Sequence, residues 1–261
     1  MDYQNAQGDL PTSQTIANQF ASDKKDLIFA ISTPSAQAAY NATKDIPILI
    51  SAVTDPVAAG LTDSLEKSNG NISGTSDYIP VSHNLELMKQ LLPSAKVIGV
   101  IYNTSEINSR IQIDELKESA SKEGYTVEEV GITSTNEVNQ AITSLMPKID
   151  LLYTPTDNLV VSAMPILVQK SMEYEVPIIT AEESSVAYGG LATSGIDYYQ
   201  LGYQTGEMAV KVLKGEDVST MPIEQIKEPT IVINEDTLKA LSLEKPNLVF
   251  SNNLSAYINA W

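Results

Sequence analysis

The hydrophobic positions of this chain follow two alternating patterns, which predict strands separated by helices. Short continuous runs rich in Ile, Val and Leu predict strands buried on both faces, and longer segments carry apolar residues at helical spacing. The predicted strands are residues 26–31, 46–53, 71–76, 96–103, 126–132, 150–153, 177–180 and 230–234. This order is typical of parallel βα units.

The predicted helices lie between these strands. They are a segment with Ala36, Ala38 and Ala39, then residues 85–92, 108–123, 136–146, 160–174, 197–214 and 235–241. The long helix 197–214 has a predicted buried stripe made of Leu201, Met208, Ala209, Val212 and Leu213. Two sets of strands wound with helices predict two doubly wound α/β sheets, and ligands bind such sheets beyond the carboxyl ends of the strands.

Composition narrows the function classes. The 261 residues include 16 Lys and Arg against 33 Asp and Glu, and the formal net charge of −17 disfavours nucleic acid as a partner. There is no cysteine and one histidine, which excludes thiolate zinc sites and disfavours a Ser-His-Asp triad, while carboxylate sites for Mg²⁺ or Ca²⁺ stay open. No GxxxxGK[ST] or GxGxxG motif occurs. We therefore expect no cofactor and no enzyme.

Targeting signals add little. The first ten residues are polar, so no signal peptide is predicted within this chain. No apolar run approaches the roughly 18 residues that a membrane span needs.

Polar side chains follow nearly every predicted strand. Thr33 and Ser35 begin a helix, where free N–H groups favour a carboxylate or phosphate, and an ordinary N-cap is the alternative. Thr54 and Asp55 follow the second strand, where Asp before Pro is usually a turn former. The candidates after later strands are Asn103, Asn108, Ser109, Thr156, Asp157, Asn158 and Glu182. Such hydroxyls, amides and carboxylates suit a polar zwitterion.

Two further candidates lie near predicted turns. Asp197 precedes the long helix and either caps it or receives the ammonium group of a ligand. Tyr78 follows the third strand, where stacking on an aromatic ligand is the alternative to an ordinary core or surface position.

Five segments in a fixed order carry a family resemblance. They are DYQNAQGD at 2–9, STPSAQAA at 32–39, AVTDPVAAGL at 52–61, PTDN at 155–158 and GIDYYQLGYQTGEMA at 195–209. From about residue 2 to about residue 243 the chain resembles the substrate-binding proteins of a bacterial ABC transporter family with the type I periplasmic binding fold, some of which take aromatic amino acids.

The resemblance implies two Rossmann-like, doubly wound lobes joined by a hinge. Lobe one would comprise residues 1–77 with 199–222, and lobe two residues 82–195 with 230–246, followed by a tail at 247–261. It also implies a cell-surface lipoprotein or periplasmic protein that delivers an amino acid to a membrane permease.

The resemblance also implies roles for individual residues. Thr33, Ser35 and Thr54 would take the ligand carboxylate, and Asp157 or Asp197 its ammonium group. The second wall of the interlobe cleft would be lined by Asn103, Asn108 and Ser109.

One departure from the family pattern concerns the start of the chain. Family members begin with a strand and a helix before the segment at 2–9, whereas this sequence starts on that segment, which favours a truncated reading frame. Apolar surface could then be exposed in lobe one, which leaves weak or absent ligand binding, self-association or strand exchange open. The alternative is that the tail 247–261 fills the gap.

Two other functions stay open at this point. One is the ligand-sensing domain of a regulator or receptor with the same fold. The other is an α/β enzyme that uses carboxylates, for instance Asp55 and Glu182, as acid and base.

Overall fold

The computed structural model of the protein describes residues 1–68, 70–226, 228–244 and 256–259, the last four by their backbone. The chain divides into two compact units, Met1–Tyr78 with Asp197–Lys227, and Ile79–Ile196 with Glu228–Trp261. Each unit contains a mainly parallel sheet with helices packed against it, so the predicted α/β fold class is confirmed.

In chain order the helices are α1 (Leu10–Ser22), α2 (Thr33–Ala42), α3 (Val81–Leu91), α4 (Ile107–Lys122), α5 (Thr135–Leu145), α6 (Asn158–Ser162), α7 (Met164–Tyr174), α8 (Glu183–Ala187), α9 (Tyr198–Leu213) and α10 (Glu235–Ala240). The strands are β1 (Ile28–Ile31), β2 (Ile48–Ser51), β3 (Ile72–Ser76), β4 (Val97–Asn103), β5 (Thr126–Ile132), β6 (Leu151–Thr154), β7 (Ile178–Thr180), β8 (Ala192–Gly195), β9 (Ile223–Gln225), β10 (Thr230–Asn234) and β11 (Ala256–Asn259). Every strand predicted from the sequence is present.

The first unit has a four-stranded parallel sheet in the order β1-β2-β3-β9. Leu49 of β2 packs against Met208 and Val212 of α9, which places this helix on one face of the sheet. Ile48 and Ile50 alternate with Leu49 along β2 and are also fully buried. Burial of each such side chain contributes roughly 1.5–3 kcal/mol to stability.

Strand β1 lies at the edge of this sheet and pairs with β2. Its register sets Phe29 level with Leu49, so Phe29 and Ile31 lie on the face that α9 covers at β2. These two side chains are 40% and 58% exposed. Within the described residues, the first unit therefore has an apolar strand edge at β1.

The second unit has a seven-stranded sheet in the order β11-β10-β8-β7-β6-β4-β5. Only the pair of β8 with β10 is antiparallel among the described strands. Side chains alternate across β4: Ile98 packs with α3 and α4, whereas Ile101 packs with α5 and α7 on the other face. The strand order reverses between β4 and β6, and in doubly wound sheets ligands bind at this switch point.

Two expectations about helices are wrong, and two helices were not predicted. The predicted helix 160–174 is two helices, α6 and α7, which meet at Ala163 because Pro165 has no N–H to donate to the preceding turn. In the stripe of α9, Leu213 is 62% exposed, and Thr205 is buried. The sequence also does not predict α1 and α8.

The sequence pattern did not predict α1 because its buried residues are small. Its buried residues are Ser13 and Ala17, which are too small to produce an apolar periodicity. Its start is fixed by a local contact instead, since Asp9 accepts a hydrogen bond from the Thr12 N–H at 2.8 Å.

The predicted tail 247–261 lies outside the described residues except for the backbone of β11. This strand pairs in parallel with β10 and so belongs to the sheet of the second unit. The alternative in which this part of the tail completes lobe one is therefore wrong.

Candidate ligand-binding site

A cluster of buried polar side chains lies at the switch point of the second unit, beyond the carboxyl ends of β4 and β6. Asp157 is at its centre and is 1% exposed. Its Oδ2 accepts hydrogen bonds from the Asn103 N–H at 2.6 Å and the Ser109 hydroxyl at 2.7 Å, and its Oδ1 accepts one from the Val160 N–H at 2.9 Å. Asp157 therefore joins the end of β4, helix α4 and the start of α6.

Glu106 is a second buried carboxylate in this cluster. It accepts hydrogen bonds from the side-chain amides of Asn158 at 2.6 Å, Asn108 at 3.1 Å and Asn103 at 3.2 Å. The Asn108 amide also donates to the Thr156 carbonyl at 2.7 Å, but its buried Oδ1 has no partner. This oxygen is free to accept a hydrogen bond from a ligand.

The electrostatics of the cluster favour an added positive charge or a proton. Burial, followed by the charge of Glu106, raises the pKa of Asp157 to about 6, although the hydrogen bonds from Ser109, Asn103 and Val160 oppose the shift. The ion pairs among the described residues do not involve either carboxylate.

The structure thus brings six sequence-predicted residues together at one sheet edge: Asn103, Asn108, Ser109, Thr156, Asp157 and Asn158. The sequence pattern did not select Glu106 or Gln112. Gln112 lies within α4 and hydrogen-bonds both the backbone N–H and the hydroxyl of Thr156. Glu106 is the last residue of the polar segment 104–106, which follows β4. Its position beyond a strand end could have identified it as a candidate.

In the first unit, the backbone is strained where α2 begins. Ser32 has φ 75° and ψ 156°, a combination that is almost restricted to glycine. The next residue, Thr33, is 3% exposed, and its Oγ1 has no hydrogen-bond partner. An unpartnered hydroxyl beside the free N–H groups of a helix start is a suitable place for a ligand carboxylate.

Replacing Ser32 by glycine is expected to stabilise the first unit by about 1 kcal/mol. Relief of about 1–3 kcal/mol of strain outweighs the roughly 0.4–1 kcal/mol lost to the greater freedom of glycine in the unfolded chain. Urea unfolding measures the change. Ser134→Gly is the control, because Ser134 also precedes a helix but has an ordinary φ of −148°. Equal losses of stability in both variants would contradict strain at Ser32.

Other candidates of the first unit follow the carboxyl ends of β1, β2 and β3. Thr54 is buried, and its carbonyl accepts a hydrogen bond from the Ser76 hydroxyl at 3.0 Å. Ser35, in the first turn of α2, and Tyr78, beyond β3, are both half-buried. Asp77, which precedes Tyr78 in the chain, is buried. The sequence pattern did not select it.

Three carboxylate candidates bond nearby backbone N–H groups. Asp55 accepts bonds from the N–H groups of two following residues at 2.9 and 3.0 Å, as a turn former does. Glu182 caps α8 and Asp197 caps α9 in the same way. Their ligand-binding roles stay predictions.

The described residues offer neither a metal cluster nor a membrane-spanning helix. Within residues 1–68, 70–226 and 228–244, no group of three or more His, Asp or Glu side chains is placed to hold a metal ion. In the same part of the chain, no helix has the length and apolar character that crossing a bilayer requires.

The chain is similar to known proteins along nearly its whole length. The family model of ABC transporter substrate binding proteins matches residues 1–255. A tyrosine-binding protein of Clostridioides difficile (strain R20291) is 61% identical over 245 residues, which are 94% of this chain and 71% of that protein.

Two solved structures are similar over most of the chain. The ligand-free, open structure of a substrate-binding protein with adhesive properties from Clostridium difficile is 61% identical, with a TM-score of 0.70 and coverage of 98% of this chain and 86% of that chain. An ABC domain in complex with L-Trp from Streptococcus pneumonia is 37% identical, with a TM-score of 0.91 and coverage of 94% and 83%.

Proposed function

This chain belongs to the family of ABC transporter substrate-binding proteins. We propose that it binds a free amino acid in the cleft between two lobes, and that tyrosine and tryptophan are the leading candidate ligands. The family resemblance and the expectation that the chain is not an enzyme are both confirmed, since the family and these relatives are solute-binding proteins. The aromatic preference is supported by relatives named for binding tyrosine and crystallised with L-Trp.

One observation in the chain itself carries the proposal. Buried polar atoms without partners lie just beyond two strand ends, at Thr33 Oγ1 after β1 and at Asn108 Oδ1 after β4. An unsatisfied buried polar group costs about 1–3 kcal/mol, so a ligand that bonds it recovers this cost on binding. The Thr33 hydroxyl with the α2 N-terminus suits the ligand carboxylate, with Ser35 and Thr54 beside it.

The proposed mechanism is a shift between open and closed states. The ligand stabilises the closed state by contacts to both lobes, here the two compact units, and it shifts the equilibrium only by its difference in affinity for the two states. The closed protein then docks on a membrane permease. Substrate-binding proteins of ABC transporters act outside the cytoplasm, which supports an extracytoplasmic location, as a cell-surface lipoprotein or in the periplasm.

Calorimetry with each of the twenty amino acids is expected to give heat with L-tyrosine or L-tryptophan. Thr33→Val is expected to weaken this binding about tenfold, because it removes one hydroxyl worth roughly 1–1.5 kcal/mol while keeping the shape of the side chain. Thr15→Val is the control, since the Thr15 hydroxyl donates to its own helix on the exposed face of α1. No heat with any amino acid would overturn the proposed ligand class.

A further inference from the structure

Asp77 is a buried carboxylate with a free acceptor. It follows β3 directly and is 7% exposed. Its Oδ2 accepts a hydrogen bond from the Tyr198 hydroxyl at 2.9 Å, whereas its Oδ1 has no hydrogen-bond partner. The Thr54 hydroxyl also bonds this side chain. Neutral donors, two hydroxyls and the backbone N–H of Asp77 itself, thus hold the carboxyl group in place, and Oδ1 is a buried acceptor without a donor.

The charge of Asp77 is not balanced within the described residues, where the ion pairs do not include it. Burial raises the pKa of the Asp77 carboxyl, and the hydrogen bonds from Tyr198 and Thr54 oppose the shift only in part. A buried carboxylate without a cation is costly, and a positively charged donor removes that cost. We infer that Asp77 Oδ1 receives the ammonium group of the ligand, an assignment that rests on the proposed amino-acid binding.

The other two candidates for this role differ from Asp77, because Asp157 has both oxygens engaged and Asp197 is not fully buried. Asp157 accepts hydrogen bonds on both oxygens, two of them from backbone N–H groups. Asp197 is half-buried, and its Oδ1 accepts hydrogen bonds from the N–H groups of Tyr199 and Gln200. Of the three carboxylates, Asp77 has the buried oxygen that lacks a donor.

Asp77 and Thr33 follow β3 and β1, the two strands that flank β2 in the sheet of the first unit. Ile31 of β1 is paired with Ser51 of β2. Ile50 of β2 is paired with Gly74 of β3, and the hydroxyls of the next two residues, Ser51 and Thr75, lie 3.4 Å apart. Thr33 and Asp77 each lie two residues beyond this level. They therefore follow the carboxyl ends of β1 and β3, at the same edge of this parallel sheet.

A free α-amino acid carries both of the groups that these two positions are inferred to bind. The Asp77 carboxylate suits its ammonium group, and the Thr33 hydroxyl at the start of α2 suits its carboxylate. A carboxylic acid without the amine leaves the charge of Asp77 unpaired.

The test compares L-tyrosine with 3-(4-hydroxyphenyl)propionate, which has the same shape without the amine, by calorimetry on the whole chain. The unsubstituted protein is expected to bind L-tyrosine at least 100-fold more tightly than the deaminated acid. Asp77→Asn, which keeps the size of the side chain, is expected to weaken L-tyrosine binding at least 30-fold and to leave the acid unchanged, so that the preference nearly disappears.

Two further variants separate charge from structure. Tyr198→Phe removes the hydrogen bond to Asp77 but keeps the carboxylate, so the preference for the amine is expected to persist. Asp197→Asn, at the cap of α9, is expected to keep it as well. A purely structural role for Asp77 predicts instead that Asp77→Asn weakens both ligands equally and that Tyr198→Phe does the same.

The outcomes distinguish this inference from the function on which it rests. If the unsubstituted protein binds L-tyrosine or L-tryptophan but Asp77→Asn keeps the preference for the amine, the assignment of Asp77 is overturned and the proposed function stands. If the unsubstituted protein binds no amino acid, both are overturned. Thermal unfolding of each variant checks that the comparison is made between folded proteins.

Discussion

Replacing Gly74 by alanine is expected to lower the free energy of unfolding of the first unit by about 3 kcal/mol or more. Gly74 lies in the middle of β3, between β2 and β9, with a φ of +133° that side chains rarely allow. A Cβ there would lie 2.0 Å from the Ile50 carbonyl oxygen and 2.6 Å from its nitrogen. Backbone strain and overpacking each cost about 1–3 kcal/mol, and here both act on the central pairing of the sheet.

Urea unfolding and the yield of folded protein measure the effect of Gly74→Ala. Gly202→Ala is the matched control, because a Cβ at Gly202 in α9 meets nothing within 4 Å. Alanine is expected to raise stability there by up to about 1 kcal/mol, as in other helix interiors. A Gly74→Ala protein as stable as the unsubstituted one would show that β3 does not have this backbone conformation.

Asp157→Ala is expected to destabilise the second unit by about 3–5 kcal/mol. The substitution removes the acceptor of two backbone N–H groups and one buried hydroxyl, and it deletes the N-cap of α6. An unsatisfied buried donor costs about 1–3 kcal/mol, and loss of a cap costs about 1 kcal/mol. Hydrogen exchange is expected to rise at the amides of Asn103 and Val160. Urea unfolding gives the free energy.

Asp150→Ala is the control for Asp157→Ala. Asp150 also accepts hydrogen bonds from two backbone N–H groups, of Lys96 and Val97, but it is exposed, so water replaces it and a loss of about 1 kcal/mol or less is expected. Equal losses in the two variants would contradict the importance of burial at Asp157.

The pH dependence gives a second measurement on Asp157. The pKa of its carboxyl is about 6 in the folded protein, against an ordinary value of 3.8 in the unfolded chain. Between these two values the folded state binds a proton that the unfolded state does not. Protonation of this carboxyl therefore adds stability that is fully present below about pH 4 and is lost as the pH rises through about 6. Asp157→Ala is expected to remove this slope.

The sequence predicts the edge of each sheet at which polar groups collect, but not which of their atoms are free. Parallel strands bring their carboxyl ends together, and the candidates Asn103, Ser109 and Asp157, which lie at or beyond the ends of β4 and β6, are neighbours in the structure. Whether a carboxylate oxygen is already bonded depends on hydrogen bonds across the fold. Asp157 has both oxygens engaged, and this follows from α4 and α6 lying beside it.

Asp77 is a residue that the sequence analysis missed. The sequence pattern selected its neighbour Tyr78 for the aromatic ring and passed over the carboxylate. The importance of Asp77 depends on burial and on Tyr198, which is 121 residues away along the chain. No local pattern contains a contact between residues so far apart. Similarly, α1 packs through Ser13 and Ala17, and small residues leave no signal of periodicity.

The sheet of the first unit also sets the order in which the chain can fold. Strand β3 pairs with β9, so Gly74 pairs with a residue far along the chain, Ile223. Strands β4 to β8 of the second unit, in contrast, all lie within residues 97–195. During synthesis from the N-terminus, the second unit can close most of its sheet while the first still lacks a strand and α9. Contacts of such long sequence separation form slowly. The first unit therefore stays incomplete, and exposed to chaperones and proteases, throughout the time in which β4 to β8 are made.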